Sequence, residues 1–213
     1  MGEIKKGDTV VVFGAGPVGI FAAKSAQLMG AGRVMIVDGY DYRLEFAQKF
    51  TGAEPVNFRE LDDPVMFFKK TTDHLGPDVC IEAVGAEADG SFLQRLTGVK
   101  MKLQAGAATA LYWAIDSVRK GGVISIVGVF GPTSNMVPIG NVVNKGLTIR
   151  ANQASVRRNV PKLFEHIEAG HVSPKDVLTH RIPLEEISDA YHLFSSKLDN
   201  IIKPVLIPPS VRH

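Results

Sequence analysis

The stretch VVVFGAGPVGIFAA, residues 10–23, leaves a chain few ways to fold. An apolar run of strand length ends at Gly14, Gly16 and Gly19 follow, and Pro17 opens a segment rich in alanine. A strand that bends into a helix through glycines at this spacing makes the phosphate-holding turn of a dinucleotide-binding unit. The first glycine permits the tight turn, the second lets the backbone approach a pyrophosphate, and the third lets the helix pack close to the strand. The same spacing, taken alone, also fits a purely structural turn. Pro17 costs little at the start of a helix, because its missing N–H would have had no helical partner there. An anion would then rest against the free amides and positive dipole end of a helix beginning around Val18.

A second requirement of such a unit is an acid at the tip of the next strand. Asp38 closes RVMIVD about 20 positions beyond Gly19. A carboxylate there accepts hydrogen bonds from the adenosine ribose hydroxyls. It also repels a 2′-phosphate about 4 Å away by several kcal/mol at an effective dielectric near 20, which favours NAD over NADP. A strand-ending turn or helix cap is the other reading of Asp38. Arg43 tempers the preference, since a nearby arginine suits a phosphate, although it reads equally as a solvated residue of a first helical turn.

Strand-length apolar runs alternate with helical patterns through the first 150 or so residues, as in a parallel sheet with crossover helices. DTVVVFG, RVMIVD, EPVNF, PDVCIEAVG, VISIVGVFG and GLTIRANQ are the strand candidates. Residues 17–30, YRLEFAQKF, PVMFFKKTTDHL and AATALYWAIDSVRKGG are the helices, the last closed by glycine. Near-continuous apolarity in VVVFG and VISIVGV predicts strands covered on both faces, hence an α/β, doubly wound six-stranded parallel sheet. Beyond residue 153 the pattern changes to a helix (VPKLFEHIEAG), a proline-punctuated stretch (LTHRIP), a helix (LEEISDAYHLFSS) and a strand candidate (IIKPVLIP). The predicted division is therefore 1–153 and 154–213.

Composition removes several classes of function. With 213 residues, 45% of them hydrophobic, the chain can bury a sizeable core, and a net charge of +2 gives no reason to expect a polyanion partner. The basic patch VRRN has no interleaved aromatics, so nucleic acid is not an expected partner. No apolar run approaches the roughly 20 residues that span a bilayer, and MGEIKKGDTVVVFG does not resemble a signal peptide. A cytoplasmic location is expected, and the single cysteine, Cys80, is compatible with a reducing compartment.

The run GDTVVVFGAGPVGIFAAKSAQLMGAGRVMIVD resembles the coenzyme half of the zinc-dependent alcohol dehydrogenases of the medium-chain dehydrogenase/reductase superfamily. PDVCIEAVG resembles that family's fourth strand, SVRKGGVISIVGV its fifth strand and approach, and LTHRIPLEEISDAYHLFSSKLDNIIKPVLIP its carboxyl-terminal signature. The resemblance spans essentially the whole chain. The stretch between EAVGAEADGSFL and TALYWAIDSVRKGG is longer than in most members and resembles the branch of glutathione-independent formaldehyde dehydrogenases and threonine-dehydrogenase-like proteins.

The resemblance implies a Rossmann fold and a cofactor site. Gly14, Gly16, Pro17, Val18 and Gly19 would cradle the pyrophosphate, with Asp38 and Arg43 at the adenosine ribose. Val84 and Gly85 would line the cofactor's path, the backbone of Val129 would meet the nicotinamide carboxamide, and Lys203 would reach a phosphate. Lys203 also reads as a solvated lysine on an edge strand. Further implications are a homodimer through residues 146–153 and a carboxyl-terminal segment that packs on a catalytic domain, leaving Ile187, Leu193 and Phe194 short of cover here.

Zinc in this family is held in that catalytic domain, and EIKKGDTV resembles the junction with it. Cys80 lies in an apolar strand and reads as a buried small hydrophobe. His166 and His171 straddle a helix end without the spacing of paired ligands, and His74, His180 and His192 have no evident partners. No catalytic residue and no metal ligand is assigned within the chain. The implied function is the NAD-binding portion of an enzyme that passes hydride between an alcohol or aldehyde substrate and NAD. A noncatalytic NAD-binding or interaction module is the alternative from another class. An FAD protein is a further one, although GAGPVG in such folds is usually followed by glutamate where Asp38 stands, and a methyltransferase fits the six-strand alternation less well.

Overall fold

Six short segments pair side by side, the four inner ones apolar and largely buried, so that their N–H and C=O groups lie in a core where only another strand can satisfy them. In the computed structural model, which describes residues 2–85, 105–130, 137–153 and 155–209, these are β1 (Thr9–Phe13), β2 (Arg33–Asp38), β3 (Glu54–Asn57), β4 (Val79–Glu82), β5 (Val123–Ile126) and β6 (Thr148–Ala151). All their pairings are parallel, in the order β3-β2-β1-β4-β5-β6. The order reverses between β1 and β4. This is the doubly wound arrangement with a switch point beside its first strand.

Helices α1 (Pro17–Leu28), α2 (Asp41–Thr51), α3 (Pro64–Lys70), α4 (Ala105–Ser117) and α5 (Ile139–Lys145) supply the crossovers among the described residues. α1 touches α2, whereas α3 touches α4 and α4 touches α5, the two layers that right-handed crossovers dictate. Strand alternation divides the core accordingly. Val11 and Phe13 join Met35, Val37, Cys80 and Ile124 with Phe68 of α3 and Ile115 of α4, and Phe13 meets Phe68 edge to face at 5.6 Å. Val10 and Val12, on the opposite face, are equally buried.

Three boundaries differ from the sequence pattern for local reasons. The helix expected over PVMFFKKTTDHL stops at Lys70, because the Thr71 and Thr72 hydroxyls donate to the Phe67 and Phe68 carbonyls and Asp73 and His74 turn to positive φ. α4 ends at Ser117, ahead of the expected glycine closure. Its last carbonyls, Ile115 and Asp116, accept from Lys145 Nζ at 2.7 and 3.1 Å. α5 itself, in IGNVVNK, has no counterpart among the expected elements. The long stretch after the fourth strand falls at residues 86–104, outside the described residues.

The chain divides into two compact units, Met1–Ser155 and Val156–His213. The second contains α6 (Val156–Glu168), β7 (His180–Pro183), α7 (Ile187–Ser195) and β8 (Pro204–Ile207). LTHRIP, which the sequence reads only as proline-punctuated, contributes β7, and β7 pairs with β8 in parallel. Pro183 ends its strand and Pro204 begins the other, positions where a missing N–H is tolerated. Thr179 fastens the start of β7 to the approach of β8: its Oγ1 accepts from the Ile202 and Lys203 amides at 3.0 and 3.2 Å.

Candidate functional site

The β1–α1 turn is built by its glycines. Gly14 leaves the strand at φ +99°, a conformation L side chains rarely adopt, and its amide donates to Val37 O at 2.7 Å. Gly19 lies so close to the Gly14 carbonyl that any Cβ would collide with it, which is the tight helix-to-strand approach expected of the third glycine. Gly16 is the opposite case. A Cβ there would meet nothing within 4 Å, so its missing side chain leaves open space over the turn.

That open space adjoins a helix end with unmet needs. α1 begins after Gly16 with Pro17 at its first turn, no side-chain cap and no acid in that turn. The amides of Val18 and Gly19 therefore face the helix entry without an acceptor from a cap, the condition that suits an anion. Val18 itself is exposed.

Asp38 ends β2 and is 9% exposed. Its Oδ2 accepts from the Ala15 amide at 2.8 Å, and its Oδ1 accepts from the Gly39 and Tyr40 amides at 2.8 and 3.1 Å. The carboxylate thus ties the glycine turn to the end of β2. Arg43 Nη1 lies 3.8 Å from Oδ2. The Arg43 guanidinium stands 5.5 Å from the Tyr40 ring centre and that of Arg59 stands 4.8 Å from it, so two cations flank one aromatic ring beside the acid. Arg59 and Tyr40 were not among the residues expected from sequence. The signal available for Tyr40 was GYDYR directly after the acid; Arg59 lies in NFRE, after the third strand, and carried none.

Val84 and Gly85 follow β4, and Val129 follows β5. Gly85 sits against Val129, where a Cβ would come within 2.5 Å of the Val129 amide nitrogen, and Gly14 leans on Ala83 and Val84. Gly14, Gly16, Pro17, Val18, Gly19, Asp38, Val84, Gly85 and Val129 are thereby gathered at the carboxyl ends of β1, β2, β4 and β5, with Arg43 on α2 beside Asp38. This is the crevice at the switch point where open α/β sheets take ligands. Lys203 belongs to the second unit, on the approach to β8.

The sequence reading missed Glu82, the last residue of β4, although an acid closing an otherwise apolar buried strand was visible in VCIEAVG. Glu82 is fully buried; its Oε1 accepts from the Val84 and Gly85 amides, both at 2.8 Å, while Oε2 has no partner among the described residues. Burial pushes the Glu82 carboxyl above the ordinary range, against the pull of the amides that face it.

Among the described residues the nucleophilic and metal-binding residue types form no second cluster. Cys80 is buried beside Ser117, with Sγ and Oγ 3.8 Å apart, and burial pushes its thiol up to about 12, so it is an inert core residue. His166 and His171, whose spacing does not match paired ligands on a helical face, bring their Nδ1 atoms to 3.2 Å of each other. His180 likewise finds partners, with Nε2 3.2 Å from Asp199 Oδ2 and Nδ1 2.9 Å from Thr179 Oγ1. Among the described residues no three His, Cys, Asp or Glu side chains converge to hold a metal ion, so the donor set does not fit a zinc site. Among them, too, no helix is long and apolar enough to cross a membrane.

Known proteins resemble the chain along its whole extent. A family model described as zinc-binding dehydrogenase matches residues 17–97. A zinc-type alcohol dehydrogenase-like protein of Bacillus subtilis, AdhB, is 42% identical over 96% of this chain and 54% of its own length. An alcohol dehydrogenase of Cupriavidus necator is 32% identical over 97% of this chain and 51% of its own. Among solved structures, alcohol dehydrogenase TADH from Thermus sp. ATN1 superimposes with a TM-score of 0.81 at 34% identity, covering 97% of this chain and 54% of that one. The chain spans about half the length of these relatives. Similarity of this extent, on a six-stranded sheet with a glycine turn and an acid at its switch point, establishes that the chain belongs to the zinc-type alcohol dehydrogenase family of the medium-chain dehydrogenases.

Proposed function

We propose that this chain is the NAD-binding portion of a zinc-dependent alcohol or aldehyde dehydrogenase-like oxidoreductase. The observation that carries the reading is the pairing of open space over Gly16 with an uncapped first turn of α1, next to the carboxylate of Asp38. The residues fit the cofactor. Gly14, Gly16, Pro17, Val18 and Gly19 would hold the pyrophosphate, Asp38 and Arg43 the adenosine ribose, Val84, Gly85 and Val129 the nicotinamide half, and Lys203 a phosphate. When bound, the nicotinamide supplies the hydride acceptor or donor for an alcohol or aldehyde substrate. The protein's part is to fix the ring by backbone contacts and to exclude water around it. The zinc ligands expected of the family would come from the part of the relatives' length that this chain does not span, and by itself the chain would turn over no substrate.

In this reading residues 1–153 form the cofactor domain and 154–213 carry apolar faces that meet the catalytic domain. Phe164 and Ile187 are 57% and 41% exposed, and Leu193 and Phe194 are half-buried. Residues 146–153 would pair with a second copy into a homodimer in the cytoplasm. The test is calorimetric titration with NAD and NADP. Saturable NAD binding with NADP at least about 10-fold weaker is expected from the charge at Asp38; no heat with NAD at millimolar concentration would overturn the reading.

A further inference from the structure

Glu82 has a position that hydrophobic packing does not account for. A fully buried carboxyl group ends a strand whose other residues are Val79, Cys80 and Ile81, and one of its oxygens lacks a partner among the described residues. Unpartnered buried polar atoms are rare enough that each calls for a cause. The hydrogen bonds that Glu82 does accept supply one. Its Oε1 takes the amides of Val84 and Gly85, both at 2.8 Å, and its own main-chain carbonyl takes the amides of Val127 and Gly128 at 2.8 and 3.1 Å. One residue therefore fixes the turn after β4 through its side chain and the turn after β5 through its backbone. The free oxygen, Oε2, points at Gly128, where a Cβ would strike it.

We propose that Glu82 is a positioning residue for the nicotinamide half of the cofactor, holding Val84, Gly85 and Val129 in the arrangement that lines it. The inference rests on the reading of this chain as NAD-binding. Gly85 lies against Val129 with no room for a side chain between them, and Gly14 of the phosphate turn leans on Ala83 and Val84. A shift of the Val84–Gly85 turn therefore moves the half of the site beyond β4 and β5, while the Gly14 amide keeps its bond to Val37 O and the phosphate turn its tie to Asp38. An apolar residue at this place would fill the volume and leave two amides without an acceptor, free to draw the turn toward another partner.

The test is fluorescence titration of the 213-residue chain with NADH and, separately, with ADP-ribose, which lacks the nicotinamide. Glu82→Gln keeps an acceptor for both amides and should bind NADH within about 3-fold of wild type. Glu82→Met should bind NADH about 10-fold or more weakly, yet ADP-ribose within about 3-fold. If Glu82→Met does not fold, Glu82→Asp takes its place: it withdraws the acceptor by one methylene and should weaken NADH selectively, by about 3-fold or more. Equal losses for both ligands, or none for NADH, would overturn the positioning role. Failure of the wild-type chain to bind either ligand would instead overturn the NAD-binding reading beneath it.

Discussion

Asp38 does two jobs with one carboxylate. It accepts the Ala15, Gly39 and Tyr40 amides, binding the phosphate turn to the second strand, and in the proposed function it also meets a ribose. Asp38→Asn puts an N–H donor where one of these amides donates. It should cost about 1–3 kcal/mol of stability in denaturant unfolding. With its charge gone, the preference for NAD over NADP should shrink by about 10-fold, as read by titration. Glu82 gives a prediction in pH. Burial raises its pKa in the folded protein above that of the unfolded chain, so the stability it contributes is fully present below the unfolded pKa and is lost as pH rises through the folded one. Wild type and Glu82→Gln should differ least in acid, and the wild type should fall behind as the pH increases; unfolding curves across this range that keep a constant gap would contradict it. Gly14, Gly16, Gly19 and Asp38 were legible in the sequence because a local spacing defines them. The Asp38–Ala15 bond, the tie of the Glu82 main chain to Val127 and Gly128, and the Arg59–Tyr40 stack were not, since each depends on segments distant in the chain being brought together; the Glu82 side-chain bonds to Val84 and Gly85 are local, and their one sign was an acid closing an apolar strand.

β1, β2, β4 and β5 were readable as elements because burial on both faces makes them nearly continuous in apolar residues, whereas β3 (EPVN) and β6 (TIRA), largely exposed at the sheet edges, were readable only from the alternation along the chain. β7 was not, for its proline looks like a breaker until a two-stranded sheet gives it an edge position. α5 escaped notice because a seven-residue helix with a glycine and two asparagines has little intrinsic preference, and the crossover to β6 decides its conformation. β6 pairs with β5 alone among the described residues and so exposes a free edge. The Thr148 amide donates inward to Gly122 O at 3.1 Å, so by alternation the Ala151 amide faces outward. Ala151→Pro should keep the β5–β6 ladder and remove a donor that a symmetry-related strand would need. Light scattering is expected to find a dimer for the wild type and a monomer for this variant; a wild-type monomer at high concentration, or an unchanged dimer, would contradict the strand pairing.

At the scale of the whole molecule, the chain spans about half the length of the relatives it matches, and the function proposed for it is to bring a cofactor cradle to a reaction whose other groups would come from the remaining length. In the proposed function the space over Gly16 receives the pyrophosphate. Gly16 has an ordinary extended φ of −75° and nothing within 4 Å of a Cβ, so Gly16→Ala is sterically tolerated and should cost only the poorer N-cap that alanine makes, about 1 kcal/mol. The same methyl group would occupy the place of the phosphate. Calorimetric titration of wild type and Gly16→Ala with NAD, alongside their melting curves, tests this most directly. Expected are melts that differ by no more than that cap cost and at least about a 10-fold loss of NAD affinity in the variant; NAD binding of equal strength in both proteins would contradict the pyrophosphate's place over Gly16.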